Sequence, residues 1–176
     1  MKIIFITILS ALILTSNGYS AGGGSGGEGA DSKQSIYKSA VNYVKAGKKL
    51  EKKGKVEKAK AKYEKAFKRL IKANDKDPLN PDVLNYLGFT SRKLGDFKNA
   101  EVYYLKGLEI NPKHNGINEY LGELYLSTSR PEKAKERLLV LKNCNCEEYE
   151  ELKAIIDGTK AVSYTHLRAH ETSLHL

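Results

Sequence analysis

Three groups of residues in this 176-residue chain have types and spacing suited to chemistry. Cys144 and Cys146 stand one residue apart in NCNCEEY. In an oxidising compartment such a pair can close into a disulfide, although one intervening residue makes a tight ring. Reduced, a Cys146 thiolate at the start of a helix has a lowered pKa and suits redox exchange or a soft metal such as copper. The third reading of the pair is structural: it docks the last helix. His166 and His170 lie four apart with Glu171 beside them, which puts two zinc ligands on one helical face. Residues 45–65, KAGKKLEKKGKVEKAKAKYEK, form the densest basic run. Its interleaved Glu51, Glu57 and Glu64, and the helical recurrence of Leu50, Val56, Ala59 and Tyr63, read first as a solvated helix face. An acidic partner or a membrane surface is the functional alternative.

Enzymatic readings find little. Apart from the histidines at 166, 170 and 175, His114 stands alone, and no serine or cysteine has an evident base and orienting acid. The carboxylates are scattered over polar helix faces. No catalytic residue, cofactor or metal site is expected.

The elements that must position these groups are short amphipathic helices. Residues 80–112, NPDVLNYLGFTSRKLGDFKNAEVYYLKGLEINP, read as two helices joined by Gly95-Asp96 and closed by Pro112. Gly88 and Ala100 fall where the helices cross closely, with Leu84, Leu87, Phe97, Tyr104 and Leu108 filling the space beside them. A forward step of 34 carries Leu87, Gly88, Ala100 and Tyr104 onto Leu121, Gly122, Ala134 and Leu138. A backward step of 41 carries Gly88, Ala100, Tyr104 and Gly107 onto Gly47, Ala59, Tyr63 and Ala66, with Tyr43 in the bulky first position. The seven extra residues follow Ala66 and lengthen that copy's second helix through Phe67, Leu70 and Ile71. Residues 147–158 add a last helix with Tyr149, Leu152, Ile155 and Ile156 on one face, acidic residues in its first turn and Gly158 at its end. The expectation is an all-α chain of seven helices. No stretch alternates long enough to predict a strand.

This pattern of Leu-Gly, Ala, an aromatic and Pro at fixed offsets resembles the tetratricopeptide repeat. Three repeats are expected, at about 40–80, 81–114 and 115–146, with a capping helix over 147–158, in a domain spanning 34–161. The resemblance implies a right-handed superhelix whose first helices line a concave groove for an extended peptide or a partner's helix. The groove positions it implies are Lys48 and Glu51 in the first repeat, Asn85, Phe89 and Arg92 in the second, and Glu119, Glu123 and Leu126 in the third. Phe89 is the candidate anchor for a partner's apolar side chain, with Asn85 bonding its backbone; alternatively Phe89 packs against the neighbouring repeat. Some members of the family clamp a C-terminal carboxylate with Lys and Asn in the first repeat. Val44 and Lys48 hold those positions here, so that clamp is not reproduced. The chain also departs from the family at Ser91, Gly107 and Asn118, and a core-facing Asn118 amide needs a partner. The function implied is a non-catalytic scaffold binding another protein or peptide.

The two ends carry separate readings. Residues 1–20 have one Lys, an apolar run and small residues before Ala21, the plan of a secretory signal peptide. Residues 21–33 are a Gly-rich leader without apolar surface to bury. The expected protein is therefore exported and bacterial, residing in the periplasm, with no membrane span after cleavage. Residues 162–176, opening VSYTHLRAHET, resemble a translated sequencing-library adapter, and the His166–His170 spacing is assigned to that non-native tail. Without the signal and tail, 28 basic residues face 20 acidic ones. That balance favours acidic partners or anionic lipid heads, and export argues against nucleic acid.

Overall fold

The computed structural model describes residues 33–162. The signal-peptide and adapter assignments, and all of the leader except Lys33, lie outside the described residues. Seven helices follow one another: α1 Lys33–Glu51, α2 Val56–Lys76, α3 Pro81–Lys93, α4 Phe97–Ile110, α5 Asn115–Ser127, α6 Pro131–Leu141 and α7 Glu147–Ile156. No strand occurs among the described residues.

Local chemistry sets the boundaries. Asn80 caps α3 by accepting from the backbone N–H of Asp82 at 3.0 Å and of Val83 at 3.3 Å, with Pro81 at the first helical position. Asp96 caps α4 through the N–H of Asn99 at 3.1 Å. His114 caps α5 with a ring nitrogen, Nδ1 accepting from the N–H of Ile117 at 3.2 Å while Nε2 meets Asp82 at 3.1 Å. The turn inside each hairpin needs one left-handed residue. Gly54 and Gly95 supply it in the first two hairpins at φ +68° and +87°, and Ser129 supplies it in the third at φ +57°.

Helices pair as α1 with α2, α3 with α4 and α5 with α6, and the pairs stack through α2 on α3 and α4 on α5. The first helices α1, α3 and α5 also touch in succession. Close crossing is achieved where glycine removes a side chain. A Cβ at Gly47 would lie 2.4 Å from the Tyr63 ring, and one at Gly88 2.4 Å from the Tyr104 ring. In the third hairpin the partner changes. The space over Gly122 is taken by Leu152 of α7, 2.6 Å from where a Cβ would stand, and not by Leu138, which is only half-buried. The capping helix therefore supplies the bulky residue that the second helix supplies in the other two hairpins.

Two departures from the repeat pattern have physical explanations. Gly107 lies against Ile117, whose Cδ1 would be 2.4 Å from an added Cβ, so alanine there requires the end of the Ile117 side chain to move. Asn118 is fully buried and satisfied: Nδ2 donates to the carbonyls of Pro112 at 3.1 Å and His114 at 3.0 Å, and Oδ1 accepts from Arg137 at 3.4 Å. The amide ties the loop before α5 to α6.

Candidate functional site: the concave face

The inner surface of α1, α3 and α5 and the flank of α7 enclose a cavity of about 660 Å³. Six of the eight expected groove residues line it: Lys48, Glu51, Phe89, Arg92, Glu119 and Glu123. Asn85 and Leu126 do not. Asn85 is buried beside Gly116 at the start of α5, where its amide nitrogen would be 2.8 Å from a Cβ, and Leu126 packs into the core of the third repeat.

The cavity floor is a charged and aromatic network that ties the repeats together. Phe89 is 2 % exposed, packed edge-on against Tyr63 at 5.7 Å between ring centroids and tilted against Tyr120 at 5.1 Å. Lys48 crosses above both rings, its Nζ 4.7 Å from the Phe89 centroid, and donates to the Tyr120 hydroxyl at 2.8 Å. Phe89 is thus a packing residue between repeats and not an open anchor, and Asn85 is not placed to bond a peptide beside it. Lys93 donates to Glu51 at 2.8 Å, and the Tyr63 hydroxyl donates to the same carboxylate at 2.6 Å. Arg92 and Glu123, 4 % and 6 % exposed, face each other at 2.8 Å, and the Tyr104 hydroxyl points at the guanidinium without a well-aligned bond.

Burial and neighbouring charge reshape the titration of this floor. Burial lowers the Lys48 pKa, opposed by Glu119 and Glu123. Lys93 is lowered by burial and then by Arg92. Burial disfavours the Arg92 cation, but Glu123, Tyr104 and Tyr120 together outweigh it and the guanidinium pKa rises. Glu119 has no hydrogen bond or ion pair among the described residues, and burial, then Glu123, pushes its pKa up to about 8. The carboxylates of Glu147 and Glu148, elsewhere in the lining, are likewise committed to no hydrogen bond among the described residues.

Residues 81–114, which include α3 and α4, match the sequence model of the tetratricopeptide repeat. Those residues of the chain form a tetratricopeptide repeat. The chain's fold is similar to the type III secretion translocator chaperone SycD of Yersinia enterocolitica, at 20% identity and a TM-score of 0.57, over 73% of this chain and 89% of that one. SycD in complex with a peptide of the translocator YopD gives a TM-score of 0.55 at 20% identity, over 71% of this chain and 86% of that one. These likenesses show the fold. No curated protein sequence matches the chain.

The cap contributes more to the groove than its sequence indicates. Glu147, Glu148, Glu151 and Ile155 of α7 form one wall, and Lys160 pairs with Glu151 at its edge. Tyr120 and Lys93 also belong to the site and were not among the expected positions. Tyr120 adjoins the expected Glu119, but nothing local in the sequence shows its hydroxyl meeting a lysine 72 residues away.

Cys144 and Cys146 form a disulfide in the α6–α7 connection. Asn145 between them takes φ +49°, a left-handed conformation that asparagine tolerates better than most residues. Both sulfurs are committed, so in this form neither is a thiolate able to bind copper. No group of three or more metal-ligating side chains occurs among the described residues.

Proposed function

We propose that this tetratricopeptide-repeat protein is a non-catalytic scaffold whose concave face binds an extended peptide or a helix of a partner protein. The observation that carries the reading is the cavity of about 660 Å³ between α1, α3, α5 and α7, with the half-buried, unpartnered Glu119 carboxylate on its wall. A buried acid without a partner is an unfavourable feature that a ligand's donor would relieve. SycD binding a YopD peptide supports this mode of action for a similar fold. The signal-peptide plan of residues 1–20 supports a location in the bacterial envelope.

Because Phe89 and Arg92 hold the repeats together, truncating them tests stability and not binding. The test uses peptide-display selection against the purified protein, followed by affinity measurement with Glu119→Arg and Glu148→Arg variants and a convex-face control, Leu105→Arg. Selected peptides should lose affinity to both cavity variants and keep it for the control. Peptides indifferent to both cavity changes would sink the groove assignment.

A further inference from the structure

Charge is distributed unevenly along the array. Residues 33–76, which form the first hairpin, carry 16 Lys and Arg against 4 Asp and Glu, whereas residues 77–161 carry 12 against 14. Within α2 the cations are ordered. Lys58, Lys62, Lys65, Arg69, Lys72 and Lys76 recur at steps of three and four, which aligns them on one side of the helix over about 27 Å. Lys58, Lys65, Lys72 and Lys76 are exposed and Lys62 and Arg69 partly so, and Lys58, Lys65 and Lys72 have no ion-pair partner among the described residues. Lys62 and Arg69 lie over the Tyr43 ring of α1, each 5.6 Å from its centroid.

The stripe has a definite place in the array. Phe67, about half a turn around α2 from the stripe, stacks on Tyr103 of α4 at 6.5 Å. The stripe therefore faces away from the second repeat, on the first-repeat end of the stack. An end repeat needs a polar outer face to stay in solution, but that need is met by mixed charge and does not call for one sign. The neighbouring outer face of α2 shows the mixed alternative, with Glu57, Glu64 and Asp75 alternating with Lys60 and Lys68.

We infer that the α2 stripe is a second docking surface, separate from the groove, for a narrow acidic polypeptide segment. The shape decides the partner class. A bilayer is a plane of phosphates and would also meet the flanking carboxylates, and interfacial helices bury an apolar face that α2 has already committed to Ala59, Tyr63, Ala66, Leu70 and Ala73 in the core. Single-stranded nucleic acid is held by free aromatic platforms, and Tyr43 is already covered by Lys62 and Arg69. A single acidic strand or helix presents carboxylates in one line and matches the stripe without touching its flanks.

The experiment measures binding of fluorescent poly-glutamate to the full chain by anisotropy at low salt. Phosphatidylglycerol-containing vesicles and an oligothymidine serve as comparison probes. Poly-glutamate should bind, and Lys58→Glu, Lys65→Glu and Lys72→Glu together should weaken it by about tenfold or more. The equal charge change at Lys98, Lys106 and Lys113, exposed positions elsewhere, should leave affinity nearly unchanged. Equal losses in the two triple variants would reduce the effect to net charge and overturn the inference. So would tighter, stripe-dependent binding of the vesicles or the oligonucleotide, or no binding of poly-glutamate at all.

Discussion

Leu152 of the capping helix occupies the space over Gly122, its Cδ2 2.6 Å from where a Cβ would stand. The contact is the third of a series, after Tyr63 over Gly47 and Tyr104 over Gly88, but it is made between elements that are not a hairpin pair. The cap thereby becomes part of the third repeat's core as well as one wall of the groove. Leu152→Ala should cost about 2–5 kcal/mol, as expected for a fully buried leucine, and should loosen α7. Urea unfolding followed by far-UV circular dichroism reads the cost. A loss below about 0.5 kcal/mol would show that α7 is not integrated.

Ser129 holds the left-handed turn position that glycine fills in the other two hairpins. Its side chain makes no hydrogen bond among the described residues, so Ser129→Gly relieves backbone strain and loses no contact. Stability should rise by about 0.5–1 kcal/mol, seen as a higher thermal midpoint. A lower midpoint would mean that the φ of +57° is not strained.

The Arg92–Glu123 pair is almost wholly buried. Arg92→Leu leaves the Glu123 carboxylate without its counter-charge and should destabilise by about 3–5 kcal/mol, whereas Arg92→Leu with Glu123→Leu should recover most of that loss. A double-mutant cycle by denaturant titration gives the coupling. Additive single losses would contradict a direct pair.

Glu119 predicts a pH dependence of defined sign. Its folded-state pKa of about 8 lies above the ordinary carboxylate value of 4.5, so the folded state holds the proton more tightly. The group's contribution is fully present below about 4.5 and is lost as pH rises through 8. Glu119→Gln should therefore melt higher than the parent at pH 9 and show no advantage at pH 4. A constant difference across that range would remove the burial argument.

These outcomes separate what the sequence disclosed from what it hid. The recurrence of Gly47, Gly88 and Gly122 with Ala59, Ala100 and Ala134 disclosed the stack, because close helix crossing restricts residue size at those points. The same recurrence does not disclose the partner of Gly122, since spacing within a repeat carries no information about a helix arriving from outside it. Asn118 looked unfavourable in the sequence because its carbonyl partners at Pro112 and His114 are fixed by loop geometry. The sequence alone leaves Phe89 between anchor and packing residue, and only the positions of Tyr63, Tyr120 and Lys48 around it decide for packing. The cap's acidic wall was invisible for the same reason as Leu152.

The functional account is tested most directly by nuclear magnetic resonance titration of the labelled protein with a display-selected peptide. The account predicts that backbone shifts concentrate at Lys48, Lys52, Glu119, Tyr120, Glu148 and Glu151, around the one cavity between α1, α3, α5 and α7. Shifts confined to the outer surfaces of α4 and α6, with those six residues unmoved, would contradict it.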